Sequence, residues 1–186
     1  MLDDEGDLVR RCLAGDQASL RAFVEQFQGA ILGLCYRMLR HRQDAEDVAQ
    51  DVFLRAFRNL GRWDPARPLK PWLFTIAANR CRTALTRRSR GPEFTDGAAD
   101  QAAAPGNASA ELGEELQLAL DQIREEYRLC FILFYQQEMS CAEIGEVMSC
   151  PPGTVKTWLH RARHELANRL RRREGEEQVR HELHRI

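Results

Sequence analysis

The sequence predicts an all-α fold built from two small helical domains, and three observations predict it. Apolar residues recur at three- and four-residue spacing along most of the chain, the pattern of helices that bury one face. No stretch of useful length alternates apolar and polar residues as a half-buried strand would. Beyond Arg90 the chain turns to Ala, Gly, Pro, Asp and Ser with almost no large apolar side chain, the composition of a flexible linker. The expected layout is a helical domain over 1–90, an acidic linker over 91–111, a second helical domain over 112–172 and a polar tail over 173–186. With 186 residues, 44% of them hydrophobic, two small cores are within reach.

Asp16 suits an N-cap for a helix carrying Ser19, Leu20, Phe23, Val24 and Phe27. A second helix is expected from Gly29 to Leu39, where Ile31, Leu34, Cys35 and Met38 keep core spacing. The third is the most regular. Ala45, Val48, Ala49, Val52, Phe53 and Ala56 form an unbroken apolar stripe, while Asp44, Asp47 and Asp51 share another face with Gln50 near them. An acidic ridge on an anchored rod follows. The segment 61–70 holds Arg62, Trp63, Arg67 and two prolines and reads as a loop. Pro71 then suits the first turn of a helix through Trp72, Leu73, Phe74, Ile76 and Asn79 to Arg82, with Trp72, Leu73 and Ile76 packed in the core.

In the second domain Leu112, Leu116, Leu120 and Ile123 mark one helix, and Leu129, Phe131, Ile132, Leu133 and Phe134 the next. Ser140 and Glu143 fit a capping box that starts a short helix with Ile144, Val147 and Met148. Ser149-Cys150-Pro151-Pro152 breaks it, and a longer helix restarts at Gly153 with Val155, Leu159, Ala162, Leu166 and Leu170 inward. This is the layout of a helix-turn-helix, with Gly145 the small residue where the two helices cross. The outer face of the second helix offers donors for base edges and phosphates: Lys156, Thr157, His160, Arg161, Arg163 and His164.

A formal net charge of -1 hides strong segregation. Arg80, Arg82, Arg87, Arg88 and Arg90 share a stretch without an acid, and 154–172 holds six Lys/Arg against Glu165. Between them, 91–115 has six acids and no Lys or Arg, so one use open to the linker is to fold over the basic helices and suppress non-specific DNA binding. The N-terminus has no basic start with an apolar run, and no window approaches a membrane span, which points to the cytoplasm with no membrane contact. The six cysteines form no C-x-x-C pair and read as structural thiols. A metal site from Cys141, Cys150, His160 and His164 is disfavoured because the cysteines are too far apart for a zinc knuckle. No cofactor, metal or small-molecule substrate is expected.

The chain resembles the extracytoplasmic-function (ECF) sigma factors of the sigma-70 family over about residues 7–172. The resemblance rests on Asp44-Ala45-Glu46-Asp47-Val48-Ala49-Gln50-Asp51-Val52-Phe53, on Pro71-Trp72-Leu73-Phe74-Thr75-Ile76-Ala77-Ala78-Asn79, and on Gly153-Thr154-Val155-Lys156-Thr157 leading to His160-Arg161-Ala162-Arg163. It implies a subunit that binds core RNA polymerase, directs it to promoter DNA and is held inactive by an anti-sigma protein. It further implies that Asp44, Asp47, Gln50 and Asp51 dock on the polymerase. Asn79 would bond an unstacked base of the minus-ten element, Trp63 and Arg67 would shape its pocket, and Arg62, Arg80, Arg82 and Arg87 would contact DNA around it. Thr154, Lys156, Thr157, His160, Arg161 and Arg163 would read the minus-thirty-five element. Ser149 departs from the glycine common at that turn. Two other classes compete. An enzyme would need a nucleophile-base arrangement, a phosphate loop or a metal cluster, none of which the sequence offers. A repressor would share the helix-turn-helix but carry a sensing or dimerising domain in place of the acidic ridge and the Pro-Trp helix.

Overall fold

The structure, a computed structural model, describes residues 2–90 and 108–183, with side chains described over 4–89 and 113–172. It is helical and contains no strand among the described residues. The order is α1 (Leu2–Leu13), α2 (Gln17–Leu39), α3 (Arg42–Asn59), a 3-10 turn (Leu60–Arg62), α4 (Leu69–Arg90), α5 (Ala108–Asp121), α6 (Glu125–Tyr135), α7 (Cys141–Met148) and α8 (Pro152–Leu183). The expected linker lies outside the described residues up to position 107, so its cover over the basic helices does too. Its last four positions belong to α5. The backbone of the tail continues α8 to Leu183.

Two differences from the sequence-based expectation concern the first forty residues. A helix, α1, precedes Asp16, burying Val9 and Cys12. Its Glu5 carboxylate accepts the Leu69 N–H at 3.0 Å, satisfying an orphan donor at the start of α4. Where two helices were expected over 17–39 there is one. Gly29 costs a helix interior about 1 kcal/mol. The buried row Phe23, Phe27, Ile31, Leu34, Cys35 and Met38 runs past it unbroken and outweighs that cost. Asp16 caps this helix as expected, accepting from the Ser19 N–H at 3.1 Å.

α3 buries Ala45, Val48, Ala49, Val52 and Ala56 as its stripe requires. Phe23 meets Phe27, Phe53 and Phe57 with ring centroids 5.2, 6.4 and 5.3 Å apart, which joins α2 to α3. α4 lies across both and contributes Leu73, Phe74, Ala77, Ala78 and Cys81.

The two helical regions are not separate bodies in this structure. One continuous apolar cluster runs from Val9 in α1 to Leu159 in α8, and α4 packs directly on α7. A second, smaller cluster joins α5 to α8 through Leu120, Ile123, Ala162 and Leu166. Polar contacts reinforce the shared core. The last carbonyls of α2 have no partner within the helix, and donors from both halves of the chain reach them. Gln117 Nε2 donates to Arg37 O at 3.2 Å, Arg128 to Met38 O at 3.3 Å and Arg88 to Leu39 O at 3.3 Å. Arg40 pairs with Asp121 at 3.0 Å and Arg82 with Glu125 at 3.2 Å. Lys70 Nζ donates to the carbonyl of Gln137. Burial pushes the Asp121 carboxyl above its ordinary range, against the pull of Arg40, Gln117 and Arg128.

Helix α7 begins with the full capping box, Glu143 N–H on Ser140 Oγ at 3.2 Å and Ser140 N–H on Glu143 Oε2 at 2.8 Å. It ends at Ser149, held left-handed at φ 54°. The Cys150 N–H returns to Gly145 O at 2.9 Å, and Pro152 opens α8 where its missing N–H is not needed. A Cβ on Gly145 would stand 2.7 Å from the Cys150 carbonyl oxygen. Substitutions at the two positions should therefore act with opposite sign. Gly145→Ala is expected to lose about 1–3 kcal/mol by overpacking against backbone. Ser149→Gly is expected to gain up to about 1 kcal/mol by relieving the left-handed strain. Urea unfolding of each variant measures both.

Candidate nucleic-acid interface

The helix-turn-helix presents Lys156, Thr157, His160, Arg161 and Arg163 on the exposed side of α8, with Thr154 half-buried at its start. Val155, Leu159, Ala162 and Leu166 anchor the opposite side, so the donor face is set by a rigid rod. Arg161 is also tethered: its Nη1 donates to the Tyr127 hydroxyl at 3.1 Å, which fixes it at the α6 edge of that face. His164 lies 3.2 Å from the Asn168 amide, one turn on.

A second constellation lies where α3, the 3-10 turn and α4 meet. A cavity of about 360 Å³ is walled by Trp72 and Ile76, with Asn59 and Asn79 offering amides and Arg55, Arg62 and Arg80 offering guanidiniums. An aromatic wall, two amides and three cations suit a planar, hydrogen-bonding, phosphate-linked ligand. A smaller cavity of about 260 Å³ adjoins it and shares Arg62 and Trp72. Its other walls include Trp63, Arg67, Pro68 and Thr75, with Glu146 of α7 at its edge. Asp64 shapes that loop, accepting the Ala66 N–H at 3.0 Å. Trp63 is only 6% exposed, and its buried Nε1–H meets no acceptor among the described residues.

The structure thus divides the residues expected at the minus-ten site. Asn79, Arg80 and Arg62 line the larger cavity, Trp63 and Arg67 the smaller, with Arg62 common to both. Arg82 is turned to Glu125 of α6, and Arg87 is exposed further along α4. Four residues of the larger cavity were not expected there: Trp72, Ile76, Arg55 and Asn59. Trp72 and Ile76 were read as core; both are half-buried, and Trp72 stands between the two cavities. Arg55 and Asn59 repeat at i+4 after Asp51 on α3, a spacing visible in the sequence as one helix face.

The acidic ridge also divides. Asp47 and Gln50 are exposed, and Asp44 is half-exposed beside the His41 cap. Asp51 is turned toward α4. Its carboxylate accepts Arg55 Nε at 3.1 and 3.0 Å and pairs with Arg80. Burial alone pushes this carboxyl up, but the bonds and charges of the two arginines outweigh it and hold it below its ordinary range. Cys130, buried beside Met148 Sδ, is pushed up to about 12 by desolvation and neighbouring thiols and stays a neutral core thiol.

Comparison with known proteins gives consistent matches. The profile of sigma-70 region 2 matches residues 23–91, and that of sigma-70 region 4 matches residues 113–166. The chain is 34% identical over 179 residues to the ECF RNA polymerase sigma factor SigW of Bacillus subtilis, spanning 88% of this chain and 95% of that protein. It is 32% identical to the RNA polymerase sigma-H factor of Pseudomonas aeruginosa, spanning 88% and 93%. Among solved structures, the sigma factor RpoE bound to the anti-sigma factor NepR from Bartonella quintana shares the fold with a TM-score of 0.68. That match is 24% identical and covers 81% of this chain and 96% of that one. CnrH in complex with the cytosolic domain of CnrY also has a TM-score of 0.68, at 23% identity, covering 88% and 94%.

If Trp72 is the stacking wall of the larger cavity, Trp72→Ala should weaken binding of a single-stranded DNA oligonucleotide by about tenfold, while Trp72→Phe keeps most of the affinity. Fluorescence anisotropy with a labelled oligonucleotide reads both.

Proposed function

The chain belongs to the sigma-70 family as an ECF sigma factor, a transcription initiation factor, and from that premise we propose how its residues divide the work. The region over 1–90 binds core polymerase and opens the minus-ten element. The region over 112–172 reads the minus-thirty-five element. The observation that carries this reading is the cavity between α3 and α4, with Trp72, Asn79, Arg55, Arg62 and Arg80 around one opening. Opening a duplex without nucleotide hydrolysis requires that the binding energy of an extruded base offset its lost stacking, a few kcal/mol. Stacking on Trp72 and hydrogen bonds from Asn79 supply that energy, and the arginines hold the flanking phosphates. Lys156, Thr157, His160, Arg161 and Arg163 of α8, with Thr154 at its start, read base edges in a major groove.

Asp44, Asp47 and Gln50 form the docking ridge for the polymerase, where exposed acids steer association with a basic surface. As with RpoE and NepR, an anti-sigma protein is the proposed regulator. Among the described residues no helix is long and apolar enough to cross a membrane, in keeping with a factor that works in the cytoplasm. Sigma factors are initiation factors, and we read this chain too as one that binds and deforms DNA without catalysing a reaction.

The shared core adds a condition. The minus-ten and minus-thirty-five elements lie some 25 base pairs apart, roughly 80 Å of B-DNA. With α4 packed on α7, one molecule cannot reach both. The two regions must separate on the promoter, and the 17 residues between Arg90 and Ala108 span up to about 60 Å when extended. Separation also removes Glu146 from the edge of the smaller cavity.

Transcription by purified core polymerase from a genomic promoter pool tests the function. Transcripts with shared upstream sequences are expected, and none from any promoter would favour a repressor. In the same assay Asp47→Lys should lower polymerase affinity by about tenfold or more through charge reversal. Asn79→Ala should leave polymerase affinity intact and reduce permanganate reactivity of the minus-ten thymines.

A further inference from the structure

Asp51 stands behind two of the three arginines that ring the larger cavity. It lies one turn before Arg55 on α3, and Arg55 Nε reaches both of its oxygens at 3.1 and 3.0 Å. From α4, Arg80 forms an ion pair with the same carboxylate. Asp51 is not itself in the cavity wall, whereas Arg55 and Arg80 are. Both arginines thus meet one carboxylate while lining the opening that they share with Asn79. Two arginines converging on one cavity repel each other, and an anion between them removes that repulsion. The face continues to Asn59, whose Nδ2 donates to Arg55 O at 2.8 Å.

We propose that Asp51 is a positioning residue for minus-ten recognition, aligning Arg55 and Arg80 beside Asn79, and is not part of the polymerase-docking ridge. The inference rests on the reading of that cavity as the base-capturing site. Exposure agrees with it. The Asp51 side chain is 32% exposed against 47% for Asp44, and its oxygens already face two cations. A lysine on the polymerase would have to displace one of them. The ridge residues Asp47 and Gln50 face solvent instead.

The test uses the full-length chain with core polymerase and a fork-junction DNA carrying a single-stranded minus-ten segment. Asp51→Asn is expected to keep core affinity within about twofold, while the holoenzyme binds the probe about tenfold more weakly and discriminates less against a base-substituted probe. Asp51→Glu, which keeps the charge, should recover most of that loss. In an Arg80→Met background, Asp51→Asn should cost much less than in the wild type, because Asp51 acts through that arginine. This non-additivity is read relative to Arg80→Met, so it holds even where stability falls. The proposal is overturned if Asp51→Asn binds the probe as the wild type does, if it loses core affinity about tenfold, or if its effect is undiminished without Arg80. Asn79→Ala separates the two levels. Normal probe binding by that variant removes the cavity reading itself, whereas loss with Asn79→Ala but not with Asp51→Asn removes only the role given to Asp51.

Discussion

The buried face of α4 meets α2 and α3 on one side and α7 on the other, and the rest of the structure is arranged around that double contact. Leu73, Phe74, Ala77, Ala78 and Cys81 are each fully enclosed, so α4 has no rotational freedom with which to adjust. The same helix carries Trp72, Asn79 and Arg80 on its outer side. Burying one side therefore fixes the register of the other. Glu5 of α1 closes the start of this helix, and Arg88 near its far end reaches the carbonyl of Leu39. Interactions at both ends and along the buried face hold a single surface in place.

That constraint links the two halves of the chain. Helix α7 is the support of the helix-turn-helix, through Gly145 and the left-handed Ser149, and it is also a partner of α4. The closed form satisfies the orphan carbonyls of α2 with Gln117 and Arg128, and it holds the half-buried Asp121 between Arg40 and Arg128. The proposed opening would expose apolar surface and break these contacts, and it requires polymerase and promoter to bind the open form more tightly than the closed one by at least that difference. A factor organised this way is poorly suited to read both promoter elements alone. On the proposed function, its two reading surfaces separate only where other surfaces offset the cost.

Much of this was legible locally. The α3 stripe, the Ser140–Glu143 box and the break after Met148 follow from patterns within one or two turns and stand where the sequence predicts them, with α8 starting at Pro152, one residue before the expected Gly153. Interactions across the chain were not legible. The α1 helix contributes few buried apolar residues, chiefly Val9 and Cys12, too short a row to announce itself. Gly29 suggested a helix end, but the core contacts on either side of it carry α2 through. Trp63 sits in a segment with the composition of an exposed loop and is nonetheless buried, because the 3-10 turn folds it inward. Asp51 shares its face with the other acids in the sequence, and its second cationic partner had no local signature, lying on another helix 29 positions along the chain. The packing of α4 on α7 had no local signature at all.

The distance between α4 and α8 tests the closed-to-open requirement most directly. Spin labels at the exposed Thr86 and Ala167, with the half-buried Cys141 and Cys150 replaced by Ser, report it by pulsed electron resonance. The protein alone should give one short, narrow distribution, lengthened by tens of ångströms in the polymerase–promoter complex, as the roughly 80 Å between promoter elements demands. An unchanged distance in a complex that transcribes, or a broad long distribution in the protein alone, would contradict it.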